Sequence, residues 1–493
     1  MKRIFAFLTA LLMLLLASCG DAASSMDTTE AGAPDGTSAP SADVTAEPAT
    51  TEADPIAHLP DTKYDGHEFV VLMTNLNSNA SLIRDFIVSE GNTVLDEALY
   101  RRNMIVMDAL NITFTGIAEY GSSSVGLNKI RQANSAGDSN YDMGIISTYD
   151  AGALALSGDL RDLNDYGYLD MSKSWWDQNA KNDLEVKGKL YFTAGDISLV
   201  ATQAMYNMVF NKTLFDERNW EYPYALVEQG VWTFDKMKEY VLQVSEDLDA
   251  NDVMDSNDRY GLGYIHSSVV AALNMSGERI ANKDENGNIV LTLGTERAES
   301  AIVSFIELTK DKQHVYNCQT ATGGKNSVTM ITDGHVLFRM VEHLGFPQFR
   351  DTELNYGILP LPKTDEAQDR YYTPLGGYDA AFVCVPSFTA DDERTSAIIE
   401  YTAYISSQVV TPAYYEKTLV GRYVSDNDSY NMITIELENR IYDIGYIYNI
   451  GGLKDMVANL SKAYSTAFAS AMKSYSRKAE NDITKINEYF KGE

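Results

Sequence analysis

Cysteine is nearly missing from this chain. There are three in 493 residues, too few for a disulfide-built scaffold. The six histidines are scattered and offer no clustered imidazole site. The signatures G-x-S-x-G and H-E-x-x-H and the phosphate-binding P-loop are absent. Gly323-Gly324-Lys325-Asn326 has neither the spacing nor the Ser/Thr of the last. Positive charge is scarce too: 39 Lys and Arg face 70 Asp and Glu, a formal charge of −31. Such a surface repels phosphate backbones and sets nucleic-acid binding aside. Past the N-terminus no apolar run approaches a membrane span, which sets an integral transporter aside. What is present is 45% hydrophobic and 11% aromatic, enough for two or three domains at roughly 100–200 residues each.

The N-terminus reads as an address. Met1-Lys2-Arg3 is basic, Ile4–Ala17 is apolar apart from Thr9, and small residues lead to Cys19. That is the pattern of an export signal. Leu16-Ala17-Ser18-Cys19 resembles the lipobox of bacterial lipoproteins. The resemblance implies a signal peptide over 1–18, lipid on Cys19, and a location on the extracellular face of the bacterial cell membrane. Residues 20–59 contain no Lys or Arg, and Pro34, Pro40, Pro48 and Pro55 interrupt Ala, Ser, Thr, Asp and Glu. Too little apolar surface is available there to offset the entropy of ordering. The span 19–60 is therefore expected to be a disordered acidic tether.

The body alternates. His67–Met73, Asn111–Thr115 and Tyr141–Ser147 read as strands, with helical spacing over Thr93–Leu110 and Ser124–Ala133 between them. The β-α-β-α-β order predicts an α/β fold with a largely parallel sheet. Ligands meet such sheets at the carboxyl ends of the strands, here Thr74–Asn77 and Thr148–Asp150. Lys189–Thr193 and Ala204–Phe210 read as further strands. Thr233–Asp247, Arg297–Lys312 and Asp391–Gln408 read as helices, and the chain from Ile433 onward as helical.

Five stretches carry a family resemblance. They are Tyr141–Asp150; Gly188–Phe192 followed by Met208–Lys212; Gly230–Asp235; Asp333–Phe338; and Asn355–Pro362. In this order they resemble the extracellular solute-binding proteins of ABC importers, the group that includes maltose-binding protein. The resemblance implies a two-lobed periplasmic-binding-protein-like fold of type II, its lobes joined by crossing hinge strands. Lobe 1 would be 61–197 plus 378–410, and lobe 2 would be 198–377 plus 411–493 with the C-terminal helices. The crossings would fall at Asp196–Gln203 and Thr373–Tyr378, with Asp196, Gly376 and Gly377 as hinge residues. The implied function is non-enzymatic: a monomer captures a small solute, a carbohydrate or oligosaccharide, and hands it to ABC permease subunits.

A sugar needs aromatic platforms and planar polar groups in a cleft. The candidate ligand residues are Asn75, Asn77, Tyr149, Asp150, Trp175, Trp176, Glu342, His343, Tyr378 and Asp379. Asp247, Asp249, Asn251, Asp255 and Asp258 space oxygen donors like a calcium loop. Asp252 stands where that loop needs Gly, and Asp258 where it needs Glu, so the reading is no metal and no cofactor. Cys318 and Cys384 are expected as free thiols. The alternative is a surface glycoside hydrolase using two of the many carboxylates.

Overall fold

The computed structural model describes residues 54–491, apart from 78, 80–81, 88, 91–92, 122, 320–326, 350–351 and 416–425. The signal peptide, Cys19 and the tether up to residue 53 lie outside the described residues. The strands in chain order are β1 (His67–Asn75), β2 (Ile112–Tyr120), β3 (Met143–Ser147), β4 (Tyr206–Asn211), β5 (Tyr260–Tyr264), β6 (Ala281–Lys283) and β7 (Ile289–Leu291). They continue with β8 (Val315–Asn317), β9 (Val336–Glu342), β10 (Tyr356–Leu359), β11 (Thr373–Pro374), β12 (Ala381–Cys384) and β13 (Arg440–Ile441).

The first sheet runs β12-β3-β1-β2. Its three N-terminal strands are parallel, and β12 is antiparallel to β3. Phe69, Val71, Leu72 and Met73 of β1 are all buried, as expected of a strand covered on both faces. The helix Val94–Leu110 starts on a capping pair: Thr93 Oγ1 accepts from the Asp96 amide at 3.1 Å and donates to Asp96 Oδ2 at 2.7 Å. It stops at Asn111 in the left-handed region (φ 49°). The second sheet runs β10-β4-β9-β5-β8. There β9 pairs antiparallel to β4 and parallel to β5, and β8 lies at the edge.

Three expectations change. Lys189–Thr193 is not a strand; its backbone makes only isolated bridges, at Lys189 to Val186 and at Thr193 to Val383. The helix expected over Thr233–Asp247 spans Phe234–Val241, after which the acidic turn begins. The last part of the expected tether is folded. Residues 54–60 form turns, Ile56 packs on the core, and His58 reaches Glu400 at 3.5 Å.

Candidate functional site

Among the described residues, two chain crossings connect the sheets. After Thr193 pairs with Val383, the chain passes through the short helix Val200–Gln203 and pairs Met205 with Leu375 before entering β4. The return strand lies beside it, with the Gly376 amide donating to Ala204 O at 2.7 Å. Arg102, wholly buried, anchors the outgoing crossing by donating to Ile197 O, Ser406 Oγ and Asp85 O. Asp196 sits in the same crossing, its amide on Trp175 O at 2.8 Å. Burial pushes its carboxyl up to about 6.

A Cβ at either glycine of the return crossing would meet a close neighbour. A Cβ on Gly376 would stand 2.8 Å from Glu342 Oε1, and one on Gly377 would stand 2.1 Å from the Tyr446 ring. Gly377→Ala is expected to push Tyr446 aside, costing about 1–3 kcal/mol of stability from overpacking. Calorimetry would show a lowered Tm. A variant with unaltered Tm would mean that Tyr446 moves freely.

Between the sheets lies a cleft of about 480 Å³. Its lining comes from Tyr149, Tyr378 and Asp379 on the side of the first sheet, and from Tyr206, Ile265, His266, Ser267, Val270, Ala271, Gln319 and Glu342 on the second. The return crossing adds Leu375 and Gly377, and the C-terminal segment adds Tyr446, Asp455, Ala458 and Lys462. Tyr149 and Tyr446 meet edge to face at 6.3 Å with hydroxyls 3.3 Å apart. Lys454 Nζ sits 3.8 Å from the Tyr149 ring centre and 4.7 Å from that of Tyr446, a cation held on two aromatic faces. Burial lowers its proton affinity.

Glu342 and Asp379 face the cleft from opposite sides, and both also line a neighbouring cavity of about 190 Å³ with Asn77, Arg339 and Gln348. Burial raises the Glu342 carboxyl, and the nearby Asp379 raises it further; the Tyr206 hydroxyl bonds to it. Asp379 is likewise raised by burial, against one hydrogen bond from Asn77 Nδ2 at 2.7 Å. These two acceptors, four tyrosine rings and an amide can grip a ligand rich in hydroxyl groups. Each group gains by exchanging water for a directed partner in a partly dry space.

The structure brings Asn77, Tyr149, Glu342, Tyr378 and Asp379 to the two cavities. Asn75, Asp150, Trp175, Trp176 and His343 line neither. Tyr149 and Asp150 lie in the first turn of the helix Thr148–Leu156 rather than in a loop. Asp150 turns inward and accepts the Ser124 and Leu127 amides, at 2.8 and 3.2 Å, at the start of the helix Val125–Ala136. Its charge satisfies orphan helix donors there. Asn75 is buried and supports the site from behind, donating to Asp379 O at 2.7 Å. Trp175 and Trp176 are core residues, 4% and 2% exposed. Both indoles donate to Glu400, at 3.1 and 2.9 Å. His343 is buried as well, stacked on Phe346 and 2.9 Å from Glu436 Oε2. Desolvation drives the ring down to about 3 and the Glu436 carboxyl upward, so the pair is neutral. A Trp pair and a His look like ligand contacts in a sequence, yet each has a carboxylate partner more than 90 residues away that only the fold reveals.

Tyr206, Tyr446 and Lys454 were not among the candidates. Tyr206 was hidden inside a strand-like run. Tyr446 and Lys454 come from the aromatic-rich C-terminal helices, and no local spacing ties them to Tyr149. Of the calcium-like set, Asp247, Asp249 and Asp258 bring oxygens within 4.8 Å of one another. Asp247, Asn251, Asp255 and Asp258 all accept backbone amides of their own turn. Cys318 and Cys384 are free and buried.

No protein-family model and no curated protein matches the chain. Solved structures do. An ABC substrate-binding protein of Listeria monocytogenes in complex with cycloalternan superposes with a TM-score of 0.55 at 13% identity, covering 86% of this chain and 99% of that one. The maltose/maltodextrin-binding domain MalE of Bdellovibrio bacteriovorus bound to maltotriose gives 0.51 at 12% identity, covering 86% and 99%. UgpB of Mycobacterium tuberculosis in complex with glycerophosphocholine gives 0.55 at 13%, with the same coverage. The sheet orders, the paired crossings and these superpositions together establish that the chain has the two-lobed α/β fold of the ABC solute-binding proteins.

Proposed function

We propose that this protein captures a carbohydrate or oligosaccharide between its lobes and delivers it to an ABC importer. The observation that carries this reading is the interlobe cleft, where tyrosines and carboxylates from both sheets face one space. The similar structures crystallised with cycloalternan and maltotriose support the choice of ligand class. On this reading lobe 1 comprises 61–197 and 378–410, and lobe 2 the remainder of the body, hinged at Asp196, Gly376 and Gly377. The lipobox-like Leu16–Cys19 supports a lipid-anchored chain held at the cell surface.

The mechanism needs no covalent step. A solute touching Tyr149, Tyr378 and Asp379 on one lobe and Tyr206 and Glu342 on the other gains more in the closed state than in the open one. That differential affinity drives closure. Closure expels water, strengthens the hydrogen bonds to Glu342 and Asp379, and presents a shape that a permease can distinguish from the empty form.

Titration calorimetry against a glycan panel, with chromatography of the same mixtures, tests the proposal. The expected result is one-to-one binding of at least one glycan with every glycosidic bond intact. Release of shorter sugars, or binding confined to non-sugar solutes, would overturn it.

A further inference from the structure

A cavity of about 250 Å³ lies on the second lobe, outside the cleft already described, lined by Tyr260, Thr309, Lys312, Tyr316, Asn317 and Tyr464 among others. It borders β8, the edge strand of its sheet among the described residues. One layer of side chains divides it from the cleft. His266 lines the cleft and Asn317 the second cavity, with Asn317 Nδ2 3.1 Å from His266 Nε2. Burial and Lys462 hold the His266 ring below its usual range, leaving it neutral and able to accept that bond. Gln319, on the cleft side, donates its amide to Asn317 Oδ1 at 3.0 Å. Asn317 also donates to Tyr464 Oη at 3.2 Å, and so does the Tyr264 hydroxyl.

We propose, resting on the carbohydrate reading above, that this cavity is a second sugar-binding subsite. The captured solute is then an oligosaccharide that crosses the His266–Asn317–Tyr464 wall and occupies both spaces. The chemistry repeats that of the cleft. Tyr316 and Tyr464 are half-buried, Tyr316 braced by Tyr260 at 5.2 Å and Tyr464 carrying Lys312 Nζ 5.8 Å from its ring centre. An amide, a hydroxyl and the Lys312 ammonium supply the polar contacts. The backbone carries a further sign. Tyr464 follows the end of the helix Leu453–Lys462 in the left-handed region (φ 50°), a place that glycine fills without strain. Holding a bulky ring there costs backbone energy. Here it sets the Tyr464 ring and hydroxyl on the dividing wall.

The test is calorimetry of the full mature chain with malto-, cello-, manno- and xylo-oligosaccharides of increasing length. In one series affinity is expected to rise about tenfold beyond the disaccharide, the gain that one added aromatic platform provides. Tyr316→Ala should remove that gain and leave disaccharide binding unchanged, and Tyr464→Phe should reduce it. Thermal melts of both variants guard against misfolding, and the phenylalanine variant keeps the ring in place if alanine unfolds the protein. Disaccharide binding with no gain for longer chains, or a gain that survives both substitutions, overturns the second subsite and leaves the carbohydrate reading standing. Failure of every glycan to bind overturns that reading and this inference with it.

Discussion

Asp379→Asn is expected to raise the melting temperature of the free protein while weakening its hold on the solute by about tenfold to a hundredfold, the value of a hydrogen bond to a charged group. The opposite signs have one cause. Asp379 is 8% exposed, and burial and Glu342 together disfavour two ionised carboxylates at the cleft. Asparagine preserves the shape, and its side-chain oxygen can still accept the bond from Asn77 Nδ2. The bond that Asn75 makes is to the main-chain oxygen and is untouched. The free protein therefore loses only a cost, on the order of 1 kcal/mol, or about 1 °C in Tm for a folded body of this length. The complex loses a charged acceptor. Because the folded-state pKa of Asp379 lies above its ordinary value, the cost is absent in acid and grows as pH rises through the folded pKa. The Tm advantage of the variant should accordingly widen from pH 4 upward. Melting curves and calorimetry at several pH values check both halves. A lower Tm with unchanged affinity would show that Asp379 is structural and not part of the grip.

Much of the scaffold can be read from local pattern. β1 and β3 announce themselves as apolar runs, and Thr93, Thr233 and Asp391 each cap the helix expected to follow. Gly376 and Gly377 mark the return crossing, where a Cβ on either would crowd Glu342 or Tyr446. The site itself reads less well, because its members are joined by distance in sequence. Tyr149 finds Tyr446 and Lys454 across some 300 residues, and Asn77 finds Asp379 across a similar span. Nothing in the neighbourhood of either end encodes the partner. Asp150 illustrates the reverse error. Its place after a strand is that of a ligand residue, but a helix with unpaired amides lies nearer than the cleft. Trp175 and Trp176 are conspicuous by type alone. Whether an indole pair faces solvent or core depends on whether an acceptor is buried with it, and Glu400 is more than 220 residues on.

That acceptor carries the second large expectation. Glu400→Ala should cost about 3–5 kcal/mol at pH 5, since it strands two buried indole N–H groups and opens a cavity beneath them. Glu400 Oε1 accepts from Trp175 and stands 3.5 Å from His58, while Oε2 accepts from Trp176. Glutamine is no remedy: it offers one acceptor and turns an amide donor toward the other indole. Burial pushes the wild-type carboxyl from 4.5 up to about 7. The folded state thus binds a proton more tightly than the unfolded state. Wild-type stability from this group is whole below about pH 4 and falls as pH rises through 7, by about 3 kcal/mol at most. Alanine has no such slope, so the gap between wild type and variant should narrow steadily from pH 5 to pH 8. Denaturant titrations of both proteins across that range measure it. A gap that stays constant would mean Glu400 is ionised throughout, its charge carried by the two indoles and His58. In that case the anchoring of the His58 segment, and not a proton, would be what this buried carboxylate provides.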